Sequence, residues 1–327
     1  MQPRSIFILA TLIVAAYALG PGHAAPESDE TPIGPKWWPS KWGADDQRGA
    51  ANLLTSEKVL EAKSLITAGN VYQLGRVYEH GMPIPGKRHY SLTIPGLPTG
   101  TAPGSNRIVH NDELISGEIG QIGTQFDGLG HVGVRVGSDD VFYNGNKLAE
   151  FGDTYGLKKL GVENVGPIFT RGILLDVAGL KKVRSLPIGT AISAADLQEA
   201  LAVTKTMLRP GDAVLIRTGH GSLWMVDNEK YAEGEPGINL DAGKWLAEQQ
   251  VALVGCDNWA LEVVPSENPD RPFEVHQHLL VRHGIYVLEN LDLDALAREN
   301  VYEFAFVFSP LRLKGATGSP GNPMAVK

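Results

Sequence analysis

Residues 120–133 read GQIGTQFDGLGHVG and place two amides, one carboxylate and one imidazole among five glycines. Glycine weakens regular structure, but it lets the backbone adopt positive φ and approach a ligand closely. Gln121, Gln125, Asp127 and His131 follow one another at even spacings, which puts their side chains on one face of an extended segment. The stretch therefore predicts either a loop that aims polar side chains at a ligand or a glycine-rich turn whose side chains cap backbone groups.

Apolar strands and amphipathic helices alternate after this stretch. Short aliphatic runs bounded by glycine or proline predict buried strands at residues 169–177, 212–217, 251–255 and 304–308. A helix is predicted from Ser193, which can form a capping box with Asp196, and another at residues 241–250. This alternation is typical of an α/β core. No linker or repeat interrupts it, so residues 25–327 are predicted to form a single domain.

The remaining segments give weaker indications. Thr55 can cap a helix that ends at Gly69, and strands are predicted at residues 71–77 and 108–119. Prolines and glycines recur between Gly81 and Asn106, which predicts long loops. The glycine- and proline-rich tail from Lys314 is either disordered or a loop that returns to the core.

The first 24 residues predict a secretory signal peptide. Arg4 precedes an apolar run, Ile6 to Leu19, and small residues follow it near Ala24. The run is too short to span a bilayer as a stable helix. We therefore expect a mature chain of residues 25–327 that is periplasmic or secreted and leaves the membrane after cleavage.

Charge and cysteine content limit the classes of function. The mature chain has 28 basic and 37 acidic residues once Arg4 is removed, with no cluster of basic residues. Such a balance argues against binding of nucleic acid or of an anionic membrane. The only cysteine, Cys256, cannot form an internal disulfide, and its apolar surroundings predict a buried structural thiol.

Three of the nine histidines fall in residues 274–290, EVHQHLLVRHGIYVLEN. The segment predicts a short helix that Gly284 ends, followed by a strand with Glu289 at its exit. On an α-helix His276 and His283 share a face, whereas His278 lies off it. A carboxylate and an imidazole from this segment, brought to the residues of 120–133, would form a mixed site suited to a divalent metal. Alternatively, the histidines are solvated surface residues.

The two segments together resemble the bacterial metal-dependent cyclase/hydrolase family that includes kynurenine formamidase, isatin hydrolase and trans-dienelactone hydrolase. The family motif H-x-G-T-H-x-D-x-x-x-H corresponds to residues 121–131, QIGTQFDGLGH, and the later His and Glu of the family to His276 and Glu289. Residues 42–54, 171–178, 211–218, 257–265 and 315–320 also resemble family segments. The resemblance implies an α/β fold, a single swivelling β/β/α domain with a mixed sheet.

The resemblance also implies a site. Gln121, Gln125 and Asp127 occupy the positions of metal ligands, His276 and Glu289 complete or support the site, and His131 transfers protons. Both leading histidines of the family are glutamines here. Because an amide oxygen is a harder and weaker ligand than an imidazole nitrogen, we expect Mn²⁺, with Zn²⁺ or Mg²⁺ as alternatives. A second possibility is that the glutamines do not bind the metal, and that water or Glu289 takes their place as a ligand. A third is that catalysis is lost.

The function expected from these residues is hydrolysis of a cyclic amide, a lactone or an N-formyl group of a small molecule. A metal would activate water, and His131 would act as general base and then acid. Trp259 and Asp257 follow a predicted strand and either line the substrate pocket or form a capped turn. The alternatives are a periplasmic binding protein and a metal-dependent lyase or dehydratase. The family resemblance also implies a homo-oligomer, either a dimer or a tetramer.

Overall fold

The computed structural model describes residues 29–95 and 102–327. The predicted signal peptide lies outside these residues. Within them the chain forms seventeen strands, most of them short. In chain order the strands are β1 (Glu30–Thr31), β2 (Gly34–Pro35), β3 (Val71–Gln73), β4 (Tyr90–Thr93), β5 (Leu114–Gly117), β6 (Gln125–Asp127), β7 (Val134–Val136), β8 (Asp139–Val141), β9 (Ile168–Asp176), β10 (Ala191–Ile192), β11 (Ala213–Arg217), β12 (Gly237–Ile238), β13 (Leu253–Cys256), β14 (Tyr286–Glu289), β15 (Glu303–Phe308), β16 (Gly318–Pro320) and β17 (Met324–Val326).

The described residues also form eight α-helices and several shorter helical turns. The helices are α1 (Ser56–Ser64), α2 (Leu148–Phe151), α3 (Val177–Leu180), α4 (Ala194–Thr204), α5 (Asn228–Glu233), α6 (Leu240–Glu248), α7 (Glu274–His276) and α8 (Asp294–Arg298). A π-helical segment, Gln277–Arg282, continues α7, and 3-10 turns cover Gly49–Leu53, Tyr143–Gly145, Val162–Asn164 and His220–Leu223.

Nine strands form one mixed sheet, in the order β16-β6-β14-β13-β11-β9-β15-β17-β3. The four central strands, β14, β13, β11 and β9, are parallel, and antiparallel strands flank them on both sides. Parallel neighbours need crossover connections, and α4, α6 and the π-helical segment supply them. The carboxyl ends of the four parallel strands therefore meet at one edge of the sheet. The predicted α/β fold with a mixed sheet is confirmed.

The sheet curls strongly. Strand β16 lies at one edge beside β6, whereas β17 pairs with β15 and β3 on the far side. Only residues 321–323 join these two strands, so their ends can be at most about 14 Å apart. The two sides of the sheet must therefore approach each other. The tail from Lys314 returns to the core, as one of the two sequence interpretations expected.

The predicted helix starts are observed. Oγ1 of Thr55 accepts a hydrogen bond from the backbone N–H of Lys58, and Ser193 and Asp196 form the capping box of α4. Such caps satisfy backbone donors that have no partner within the helix. Helix α1 ends at Ser64, earlier than the predicted stop at Gly69, and the backbone N–H groups of Leu65 and Ile66 bond to carbonyl oxygens three positions back, which tightens the chain into a turn. The strand predicted at residues 108–119 is shorter, covering only β5.

The core lies on both faces of the large sheet. Strands β9, β11, β13 and β14 are almost entirely buried, as expected for parallel strands covered by helices. Cys256 is fully buried at the end of β13, which confirms the predicted structural thiol. Within residues 29–95 and 102–327, no helix combines the length and apolar character needed to cross a bilayer.

Candidate metal centre

A cavity of about 390 Å³ opens at the carboxyl end of β14. Seven of the eight residues predicted for the site lie on its wall: Gln121, Gln125, Asp127, His131, Trp259, His276 and Glu289. Four further residues, Arg88, Val132, Ala260 and Phe273, complete the wall. The glycine-rich stretch and the histidine segment, more than 140 residues apart in sequence, therefore contribute to one cavity.

The register between two strands explains how the carboxylates meet. Strand β6 runs antiparallel to β14, and Gln125 lies directly opposite Glu289. Asp127 lies opposite Val287, one diagonal step from Glu289 on the same face. All three polar side chains are buried. The pairing of these strands thus forces two carboxylates and one amide into a dry part of the cavity.

Each glutamine donates a hydrogen bond to one carboxylate. Nε2 of Gln121 lies 2.8 Å from Oδ1 of Asp127, and Nε2 of Gln125 lies 2.6 Å from Oε2 of Glu289. An ionised carboxylate only accepts hydrogen bonds, so the amide must present its N–H₂ group to it. The two amide groups therefore stabilise the carboxylates by hydrogen bonds, but as neutral groups they leave the negative charge in place.

Glu262 orients the imidazole of His276. Its Oε1 lies 2.6 Å from Nδ1 of His276 and also accepts the backbone N–H of that residue. Its other oxygen accepts the N–H of Val275, so the carboxylate caps the start of α7. This role of Glu262 could not be predicted from the sequence, because a buried pairing between residues 14 apart has no local signature. With Nδ1 bonded to Glu262, Nε2 of His276 faces the cavity.

Three atoms that could bind a cation face a common point. Nε2 of His276 lies 3.3 Å from Oε1 of Glu289 and 3.7 Å from Oδ2 of Asp127. The potential ligand atoms of these three residues all lie within 4.8 Å of one another. Two carboxylates and one imidazole form a donor set for borderline or hard divalent ions such as Mn²⁺. The residues therefore fit a divalent metal.

The electrostatics of the cluster also favour a cation. Burial, together with the charge on Asp127, raises the pKa of Glu289 to about 7. Burial tends to lower the pKa of His276, but hydrogen bonds to Glu262 and Glu289 outweigh it, and the pKa rises well above its usual value. Without a metal, the raised pKa values of Glu289 and His276 thus favour bound protons at these two groups, which a divalent ion could replace.

His131 lies apart from this cluster on the same wall. Its Nε2 is 3.9 Å from Oδ2 of Asp127, and its side chain is 24% exposed. Trp259 donates its Nε1–H to the carbonyl oxygen of Tyr231, and its backbone N–H to Glu235. Phe273 stands edge-on to His276, with ring centroids 5.8 Å apart. The cavity thus has an acidic floor, aromatic sides and an accessible imidazole.

Asp257 does not line the cavity. One carboxylate oxygen accepts hydrogen bonds from the backbone N–H and the hydroxyl of Thr218, and the other accepts the N–H of Gly219. The side chain of Asp257, at the carboxyl end of β13, points towards the neighbouring strand β11 rather than the cavity. Of the two sequence interpretations, these contacts match a capped turn, and Asp257 is not among the described residues that line the cavity.

The predicted shared face of His276 and His283 is wrong. Residues 277–282 form a π-helix, in which hydrogen bonds join residues five apart, so the spacing of an α-helix does not apply. His278 and His283 face each other instead, with ring centroids 4.6 Å apart. Of the three histidines in this segment, only His276 lines the candidate metal centre. His283 borders a separate cavity together with Trp37 and Trp42, so these tryptophans do not cover the candidate metal centre.

Known proteins share this fold and parts of this sequence. A solved structure described as a novel cyclase is 37% identical, covers 88% of this chain and 98% of its own, and superposes with a TM-score of 0.77. Isatin hydrolase A from Ralstonia solanacearum has the same fold, with 18% identity, coverage of 84% and 98%, and a TM-score of 0.56. These structures confirm the cyclase-like fold.

Curated relatives match a shorter part of the chain. Kynurenine formamidase from Bacillus cereus is 35% identical over 112 residues, which are 33% of this chain and 46% of that protein. The Bacillus anthracis enzyme of the same name is 33% identical over the same length. The chain thus spans about half the length of the curated relatives it matches. The family model "Putative cyclase" matches residues 72–263, which is more than half of the chain. Together with the near-complete superposition on a solved cyclase, this match shows that the chain belongs to the cyclase family.

Proposed function

We propose that this protein is a metal-dependent hydrolase that cleaves a carbon–nitrogen bond in a small aromatic amide, either a cyclic amide or an N-formyl amine. The observation that carries the proposal is the convergence of Oδ2 of Asp127, Oε1 of Glu289 and Nε2 of His276 in one cavity. The relatives named kynurenine formamidase support an amide as the substrate. A lactone is the alternative within the same reaction type, because both reactions begin with attack on a carbonyl carbon.

Asp127, His276 and Glu289 would hold the ion, and Glu262 would keep Nε2 of His276 directed at it. We favour Mn²⁺, since two of the three donors are oxygens, with Zn²⁺ and Mg²⁺ as alternatives. A divalent ion in this position would polarise the substrate carbonyl and acidify the attacking water. The buried β6 and β14 strands fix the two carboxylates before any substrate arrives, which limits the reorganisation that the reaction requires.

His131 is the residue suited to move protons. It lies on the cavity wall near Asp127 but makes no hydrogen bond that would fix its imidazole in a structural role among the described residues. A free imidazole can take a proton from water and deliver it to the leaving nitrogen, which contributes on the order of 10²–10⁴-fold to such reactions. His276 cannot serve in this way, because Glu262 and Glu289 occupy both of its nitrogens.

The sides of the cavity favour a flat aromatic substrate with an acidic group. Trp259 and Phe273 provide aromatic surfaces, and Val132 and Ala260 add apolar contacts. Arg88 is the one arginine or lysine on the wall, among the described residues. A guanidinium at this position could bind a carboxylate of the substrate and so orient its amide towards the acidic floor.

The test is an activity screen of the Mn²⁺-loaded protein against aromatic formamides, cyclic amides and lactones, beside His131→Ala and Asp127→Asn. We expect turnover of at least one amide by wild type, a loss of at least 100-fold in kcat for His131→Ala with unchanged metal content, and no bound metal in Asp127→Asn. Hydrolysis in ¹⁸O-labelled water must place label in a carboxylate or formate. A product without label would identify a lyase or dehydratase, and tight ligand binding without product would identify a binding protein.

We also propose that the protein is exported and forms a dimer or tetramer. Export rests on the basic and apolar pattern of residues 1–24, and assembly rests on the family resemblance. Detection of a mature chain beginning near Ala25 in the periplasmic or culture fraction would support export. Light scattering of the purified mature chain would measure the number of subunits.

A further inference from the structure

We infer that Gln121 and Gln125 are not metal ligands but positioning residues, and that the metal centre has three protein ligands, Asp127, His276 and Glu289. This inference deepens the proposed function and rests on its metal site. It assigns the two glutamines a role different from that of the histidines at the same positions of the family motif. The remaining coordination positions of the ion are then left for water and substrate.

The contacts of Gln121 and Gln125 fix the direction of each amide group. The Nε2 atoms of Gln121 and Gln125 lie 2.8 Å and 2.6 Å from carboxylate oxygens. A carboxylate that binds a metal is ionised, so turning either amide in that state would place its carbonyl oxygen against a carboxylate oxygen at the same distance, and two acceptors repel each other there. The carbonyl oxygen, which is the only atom of the amide able to bind a hard cation, is therefore held on the side away from the carboxylate contact.

The atoms of the three proposed ligands divide into two sets. Each ligand has one atom bonded to a residue outside the set of three and one atom that faces the other two ligands. Oδ1 of Asp127, Oε2 of Glu289 and Nδ1 of His276 are bonded to Gln121, Gln125 and Glu262 respectively. Their other atoms, Oδ2, Oε1 and Nε2, contact one another, and these are the atoms that converge where an ion would bind. Metal sites in proteins use such outer residues to orient their ligands.

The backbone positions both glutamines for these contacts. Gln125 faces Glu289 because the two residues are directly paired between β6 and β14. Gln121 reaches Asp127 past Gly318 of β16, where a Cβ atom would lie 2.8 Å from Nε2 of Gln121 and 2.5 Å from the carbonyl oxygen of Gly120. Only glycine leaves enough space for the Gln121 side chain, so the C-terminal tail contributes to the site.

This arrangement predicts an open coordination sphere. Mn²⁺ prefers six ligands, so three protein ligands would leave about three positions for water. If both glutamines were ligands as well, five protein ligands would leave about one. The number of waters on the bound ion therefore distinguishes the two arrangements without any measurement of activity.

The experiment measures Mn²⁺ affinity and the number of waters on the bound Mn²⁺, by titration calorimetry and by deuterium spin-echo modulation in heavy water. The variants are Gln121→Met and Gln125→Met, which keep side-chain length but remove the donor. Gln47→Met is the matched control, since this half-buried glutamine bonds to the backbone of Leu160 away from the cavity. We expect about three waters in wild type, roughly 10–100-fold weaker Mn²⁺ binding in the two site variants with an unchanged water count, and no change in the control.

An increase of about one water in either site variant would overturn the inference, because it would show that the lost glutamine had been a ligand. Unchanged affinity would overturn it as well. Neither result would affect the proposed hydrolase, which needs only a bound metal. Absence of Mn²⁺ binding in wild type would overturn the metal site and with it both proposals. Gln121 is only partly buried, so Gln121→Met carries the test if Gln125→Met does not fold.

Discussion

Two buried clusters of charged residues lie at opposite ends of strands in the same sheet, and they differ in how far cations compensate their carboxylates. At the amino end of β11, the guanidinium of Arg171 contacts both oxygens of Asp212, Glu303, Thr206 and a backbone carbonyl. Arg171 and Asp212 are fully buried, and Lys58 adds a further cation beside Asp212. At the carboxyl end of β14, Asp127, Glu289 and Glu262 surround a single imidazole.

In the first cluster the cations compensate the carboxylates, whereas the second cluster has one imidazole for three carboxylates. Buried carboxylates are tolerated when cations and hydrogen-bond donors compensate them, as they do around Arg171. Around Glu289 two neutral amides and one imidazole face three carboxylates, so the excess negative charge must be relieved by protons or by a cation. The comparison indicates that burial of charged residues alone does not identify a functional site. An excess of buried negative charge, as around Glu289, instead favours a site for a cation.

The largest change in stability is expected when a cation is removed from the compensated cluster around Arg171. Arg171→Met would leave Asp212 buried beside fewer cations, so we expect a loss of about 3–5 kcal/mol in the free energy of unfolding. Urea denaturation at pH 7 would measure it. Arg135→Met, which removes an exposed pair with Asp140, is the control and should cost about 1 kcal/mol or less. A similar small loss for Arg171→Met would show that the cluster at Arg171 is not structurally required, and the comparison would fail.

In the cluster around Glu289, removal of a charge is expected to raise the stability of the fold rather than lower it. Since the pKa of Glu289 is raised to about 7, ionisation of this carboxyl opposes folding, and its penalty grows as pH rises from about 4.5 to 7. Glu289→Gln removes the charge, so we expect the metal-free protein to gain about 2 kcal/mol of stability at pH 8. Urea denaturation in the presence of a chelator would measure the gain.

Two controls sharpen this prediction. At pH 5 the carboxyl of the wild type is mostly protonated, so the difference between wild type and Glu289→Gln should shrink towards zero. Added Mn²⁺ should stabilise the wild type but not the variant, because only the wild type binds the ion in its native state. A variant that is less stable than wild type at pH 8 without metal would mean that the contacts of Glu289 with Gln125 and His276 already compensate its charge.

Much of this arrangement could be predicted from the sequence. Aliphatic runs bounded by glycine and proline located the parallel strands, and Ser193 and Asp196 located a helix start, because these signals are local. The even spacing of Gln121, Gln125 and Asp127 indicated a common face, and the structure places these side chains on the wall of one cavity. Local patterns therefore predicted the strands and the common face of Gln121, Gln125 and Asp127, whereas the ligand set and the role of His131 came from the family resemblance.

Contacts between distant residues could not be predicted in the same way. The pairing of Gln125 with Glu289 depends on the register of two strands, and the pairing of Glu262 with His276 depends on a helix capped from another segment. The π-helix changed which histidines face each other, since its geometry has no clear signature in residue spacing. Asp257 was a candidate because it ends a strand, and only its contacts with Thr218 and Gly219 show where its side chain points.

The smallest effect of a substitution is expected at Arg88, a cation that lines the same cavity but does not contact the carboxylates of the second cluster. Unlike Arg171, Arg88 is exposed and has no hydrogen-bond or ion-pair partner among the described residues, although it lines the cavity. Arg88→Gln should therefore leave stability and Mn²⁺ binding unchanged. If Arg88 binds a carboxylate of the substrate, the variant should raise KM about 10-fold, the equivalent of about 1.4 kcal/mol for one partly exposed charged contact, and leave kcat unchanged.

Steady-state kinetics with a substrate and its analogue lacking the carboxylate would measure this change in KM. Equal losses for both compounds would exclude Arg88 from recognition of the acid. An unchanged KM for the acid would show that the free cation has no role in binding, whereas a fall in kcat would place Arg88 closer to the reacting atoms than the structure does.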